Sequence, residues 1–107
     1  MEVAFLDTSA LVKRYHKESG SEIIDEIFEK FVIAISELSI VELVSALNRK
    51  LAENMISGDD LRIALSKFYE DLSDFLKLKE YNPLFVSFDK KLAKVAEIEG
   101  FRVLDVQ

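Results

Sequence analysis

The chain reads as an α/β domain: a mostly parallel sheet of about four strands with helices on both faces, in one domain spanning residues 1–107. Three observations carry this expectation. Short apolar runs recur at residues 3–6, 31–35 and 84–88, with a last strand expected over 101–106, and such runs suit strands buried on both faces. The segments between them repeat their apolar residues at helical spacing. Each successive pair of runs is separated by one or two such helices, which makes the connections crossovers between parallel strands.

In order, Val3, Ala4, Phe5 and Leu6 form the first strand, and a short helix follows over residues 9–17, ending near Gly20. Ser19 with Glu22 has capping-box spacing and opens a helix carrying Ile23, Ile24, Ile27 and Phe28. After the second strand, Ser39 with Glu42 repeats that spacing at the head of a helix reaching about Glu53, whose main stripe is Ile40, Leu43, Val44, Leu47 and Leu51. Residues 54–58 form a turn. Ser57 with Asp60 caps the longest helix, expected over residues 59–77 with Leu61, Leu65, Phe68, Leu72 and Phe75 on one face. Asn82-Pro83 breaks the chain before the third strand. A helix over 90–99 then ends at Gly100, which suits a left-handed position after a helix, and the last strand follows.

Half of the 107 residues are hydrophobic and 32% are charged, the balance of a soluble globular chain. There is no cysteine, which excludes disulfides and thiolate metal sites. No apolar run approaches the roughly 18 residues of a membrane span, and nothing at the start resembles a signal peptide, so a cytoplasmic location without membrane attachment is expected. A net charge of −6 argues against gripping nucleic acid by a bulk positive field. Phosphates held through metal ions and a local basic patch are compatible with it.

Asp7 follows the first strand directly, at the edge where open α/β sheets bind ligands. It can equally be the N-cap of the next helix. Asp89 repeats the arrangement after the strand 84–88, so two carboxylates are expected on one rim, within about 4–6 Å of each other if they share a hard divalent cation. Glu42 is the third candidate. It lies off the main apolar stripe of its helix, so periodicity reads it as a capping-box glutamate or a surface residue. Asp71 and Asp74 read as the solvated face of the long helix. Residues 13–17, with the only histidine, His16, form a charged helix end that is either solvated or in contact with phosphate.

Leu6-Asp7-Thr8-Ser9-Ala10-Leu11-Val12-Lys13 resembles the opening of a PIN domain, in particular of the VapC-type toxin ribonucleases. Ser36-Glu37-Leu38-Ser39-Ile40-Val41-Glu42-Leu43 resembles that family's second motif, and the segment from Phe85 through Asp89 to Leu104 its closing one. The resemblance implies a ribonuclease dependent on Mg²⁺ or Mn²⁺, with an RNA substrate and a small antitoxin partner. It also implies a catalytic and metal-binding set of Asp7, Glu42 and Asp89, supported by the hydroxyl of Ser9. The chain departs from the pattern where a further strand–helix unit with its own acid is usual, and it resembles a PIN domain shortened by that unit. Leu104-Asp105-Val106 faintly echoes the absent motif. Weakened cleavage is one consequence to expect, and a catalytically inactive PIN-like binding or regulatory module is the alternative. Loss of the unit should also bare apolar surface, so a homodimer is expected.

Overall fold

The computed structural model describes residues 2–77, 84–86, 94, 97 and 102–104. Within them, strand β1 (Val3–Leu6) leads through helices α1 (Thr8–Tyr15) and α2 (Ser21–Lys30) to β2 (Val32–Ile35). Helices α3 (Glu37–Ala52) and α4 (Gly58–Leu72) lead on to β3 (Leu76–Lys77), and β4 (Leu84–Val86) and β5 (Arg102–Val103) complete the sheet. The strand order is β3-β2-β1-β4-β5, and all four pairings are parallel.

The expected α/β fold is present, with five strands in place of about four. The additional strand is β3, which lies within the stretch read as helix up to Lys77. Helix α4 stops five residues earlier, at Leu72, and Ala34 pairs with Leu76 where the chain joins the sheet edge. Apolar spacing alone carries no stop signal there, because Phe75 fits the helical stripe and still packs on the core as coil.

One face of the sheet organises the core. Ala4 and Leu6 of β1, Ile33 and Ile35 of β2 and Val86 of β4 join one buried cluster with residues from all four helices. Register explains it: Ala4 pairs with Ile33 and Leu6 with Val86, so their side chains share a face. Phe5 and Ala34, one residue out of phase, are buried on the opposite face. Two right-handed crossovers that step the same way across a sheet put their helices on the same side, which accounts for α1 to α4 packing together. The helix expected from the sequence over 90–99, which would cover the other face, lies outside the described residues except for Lys94 and Glu97, both helical and exposed.

Helix α1 is the hub. Its Ala10, Leu11 and Val12 are buried in succession, and it packs against α2, α3 and α4. Phe68 of α4, wholly buried, meets the Tyr15 ring edge-on at 5.4 Å. Truncating such a phenylalanine to alanine costs about 3–5 kcal/mol.

Two of the three expected capping boxes do not form. The N-cap of α2 is Gly20, at φ 96°, with no side-chain cap, and Ser21 rather than Ser19 is engaged: its hydroxyl donates to the Lys13 carbonyl and accepts from the Glu18 amide. The N-cap of α3 is Ser36, whose hydroxyl accepts from the Ser39 amide. The helix thus begins three residues before the expected box, and Glu42 is no capping residue. Ser57 and Asp60 do form a reciprocal box at α4.

Candidate metal centre at the carboxyl rim

Strand β1 connects onward to β2 on one side of the sheet, while β4 and β5 lie on the other side. The strand order reverses at β1/β4, and such a switch point opens a crevice outside the carboxyl ends of the strands. Asp7 sits there. Its backbone amide donates to the Val86 carbonyl at 3.3 Å, so it spans the end of both central strands.

Asp7 is also the N-cap of α1, with extended backbone (φ −82°, ψ 176°). Its Oδ1 accepts the Ala10 amide at 3.1 Å and the Ser9 hydroxyl at 2.8 Å. The cap bond and the hydroxyl contact thus fall on a single oxygen. The hydroxyl of Ser9 is bonded directly to the carboxylate of Asp7. The neighbouring hydroxyl turns to a different acid: Thr8 Oγ1 donates to Glu42 Oε1 at 2.9 Å.

That bond places Glu42 at the rim. Helix α3 leaves β2 immediately, through Ser36, so its early turns stand beside the start of α1. Glu42 is exposed, and a wheel projection of α3 finds only that it faces away from the core. No rule of local sequence points from Thr8 to a residue 34 positions away. The contact exists because β1 and β2 are adjacent and parallel, so the helices leaving them begin side by side.

The described residues thus bring Asp7, Ser9 and Glu42 together, through Thr8. Asp89 and Asp105 lie outside the described residues. Among the described residues no three acidic or histidine side chains form a metal-binding group. Asp7 and Glu42 nevertheless supply hard carboxylate oxygens at one edge, the donor type that Mg²⁺ and Mn²⁺ take.

The far end of α1, about 10 Å from Asp7 along the axis, is built differently. Lys13 pairs with Glu18 at 3.1 Å, and Lys50 of α3 reaches the other oxygen of Glu18 at 3.4 Å. Burial pushes the Glu18 carboxyl up, but hydrogen bonding and charge from Lys13 and Lys50 outweigh it and hold it below its ordinary value. Arg14 donates to Asp25 at 2.8 Å and stacks over the Phe28 ring at 4.5 Å. The Tyr15 hydroxyl donates to Asp71 at 2.9 Å, and burial, followed by that carboxylate, pushes the phenol far above its ordinary range. Asp71 is therefore an internal partner of α1 and not part of a solvated face. Arg14 Nε and His16 Nδ1 are buried without a hydrogen bond, each facing a carboxylate, at 3.9 and 3.6 Å.

These pairings leave Lys13 and Arg14 poorly placed to meet phosphate, since their charge is matched by Glu18, Asp25 and Asp71. Two open cavities of about 420 and 470 Å³ flank this end, and Arg14 lines both. Neither is lined by Asp7 or Glu42.

Comparison with known proteins identifies the family. A family model described as PIN domain matches residues 4–82, and no curated protein matches the chain. The matched span covers most of the sequence and contains Asp7, Thr8, Ser9 and Glu42, while Asp89 follows it. With a parallel α/β sheet, an acid at the switch point and a second acid tied beside it, the chain belongs to the PIN domain family.

Proposed function

We propose that the protein is a metal-dependent ribonuclease of the VapC type, the toxin of a toxin–antitoxin pair. The observation that carries the reading is the joining of Asp7 and Glu42 at the switch point, through consecutive hydroxyls of one helix start. Mg²⁺ or Mn²⁺ would be held by Asp7 and Glu42, with Asp89 as the third acid. A cation bound there polarises a phosphodiester and lowers the pKa of the attacking water.

The chain's own residues do the positioning. Ser9 and the Ala10 amide fix Asp7 through Oδ1. Thr8 fixes Glu42. The Asp7 amide is bonded to the carbonyl that closes β4, which ties the first acid to the ends of both central strands. Fewer acids than a full cluster leave the nucleophilic water less constrained, and a displacement of about 1 Å can lower a rate roughly a hundredfold. The activity proposed is therefore weak and favoured by Mn²⁺.

The partners follow the same reading: an RNA substrate, a small antitoxin and a second copy of the chain, in the cytoplasm. Exposed Leu38 and Val41 on α3, beside Glu42, support association near the rim. Among the described residues no helix is long and apolar enough to cross a membrane. The second reading is an inactive PIN-like binding or regulatory module. It is favoured by the departure of the sequence from the family pattern, in which a strand–helix unit carrying a further acid is usual.

The deciding experiment is cleavage of a mixed RNA pool in Mn²⁺, wild type against Asp7→Asn. Faster cleavage by the wild type supports the enzyme, and equal rates leave the binding module as the account. Light scattering tests the dimer, for which a monodisperse monomer at high concentration would be the contrary result.

A further inference from the structure

We infer that Thr8 is a positioning residue: its hydroxyl holds the Glu42 carboxylate toward the rim, so that the two-acid arrangement is formed before any cation arrives. The inference rests on the proposed metal-dependent activity and extends it to a residue outside the expected set of acids and Ser9.

Glu42 is on the exposed side of α3, where no packing fixes its side chain. A glutamate in that setting samples several rotamers, and ordering one costs side-chain freedom. Its one hydrogen bond among the described residues comes from Thr8, at 2.9 Å. Thr8 is itself placed by two constraints. It is the first residue of α1, directly after the N-cap Asp7. As a β-branched residue, it has few χ1 states in a helix. A stiff hydroxyl on a fixed backbone therefore selects one pose of a flexible acid.

Thr8 and Ser9 divide the work. Adjacent residues on a helix point about 100° apart, so one hydroxyl turns to Asp7 and the other to Glu42. Each hydroxyl meets one carboxylate oxygen. In metal sites, a partner that orients a ligand typically contributes tenfold to a hundredfold in metal affinity.

The test uses the intact chain with three variants: Thr8→Val, Thr8→Ser and Glu42→Gln. In metal-free protein, three-bond couplings of the Glu42 side chain should report one dominant rotamer in the wild type and in Thr8→Ser, and averaging in Thr8→Val. Mn²⁺ binding, followed by calorimetry, should weaken about tenfold in Thr8→Val and recover in Thr8→Ser. Combining Thr8→Val with Glu42→Gln should weaken binding no further than Glu42→Gln alone, while thermal unfolding in EDTA separates a folding defect from a loss of positioning. Averaged Glu42 couplings in the wild type, or additive losses in the double variant, overturn the inference. Wild-type Mn²⁺ binding that is insensitive to Asp7→Asn removes the metal reading and the inference with it. Asp7-dependent binding that Thr8→Val leaves unchanged overturns the inference alone.

Discussion

The two ends of helix α1 differ in how they treat charge. At its start, Asp7 and Glu42 take hydrogen bonds from neutral donors: two hydroxyls and an amide. At its end, Lys13, Arg14 and Tyr15 are matched by Glu18, Asp25 and Asp71, drawn from the α1–α2 connection, α2 and α4. Hydroxyl and amide donors of this kind orient a carboxylate in the manner of the partners that position metal ligands. Ion pairs between half-buried side chains fasten elements together and leave little charge for a ligand. The same eight-residue helix gathers two acids at one end and fastens elements together at the other.

That contrast can be broken by substitution, and the largest effect belongs to the rim. Asp7→Asn should reduce Mn²⁺-dependent RNA cleavage about a hundredfold or more, with little change in urea unfolding, because asparagine remains a good N-cap. A large loss of stability would instead make Asp7 chiefly a structural cap. The far end should behave in the opposite way. Asp71→Ala leaves the buried Tyr15 hydroxyl without an acceptor and should lower unfolding stability by about 1–3 kcal/mol, with cleavage per folded molecule unchanged. A cleavage loss matching that of Asp7→Asn would erase the distinction between the two ends.

Smaller effects sharpen it. Glu42→Gln should lower cleavage about tenfold while leaving the unfolding midpoint in place, because the side chain is exposed and its amide oxygen still accepts from Thr8. The smallest effect is a pH dependence at Glu18. Its carboxyl is held below the ordinary value of 4.5, so its contribution is present above that value and lost as pH falls through the lowered one. The side chain keeps 29% of its surface in contact with solvent, and the screening that follows keeps the contribution below about 1 kcal/mol. Acid unfolding of Glu18→Gln should show a shallower slope below pH 4.5 than that of the wild type.

Apolar runs without alternation located β1, β2 and β4, and the helical spacing located α1 to α4. These are local properties: a strand buried on both faces must be apolar along its whole length, and a helix on one face of a sheet must repeat near every fourth residue. Asp7 was legible for the same reason, as an acid at the exact change from one periodicity to the other, and the motif around it pointed to Ser9. The limits of α3 and α4 were less legible. Ser36, Ser39 and Ser57 all have the chemistry of an N-cap, and the backbone, not the residue type, decides which serine uses it.

The sequence by itself determined an α/β sheet with an acid at the end of its first strand, because period and residue type are written along the chain. Tertiary structure decided which distant groups meet. Glu42 joins the rim because β1 and β2 pair in parallel and start their helices side by side, giving Thr8 a partner 34 residues away. Asp71 becomes an internal partner because α4 crosses the end of α1, bringing it to Tyr15 across 56 residues. In both cases the amino acid was compatible with an exposed helical face. Only the packing of one helix against another could say what that face would meet.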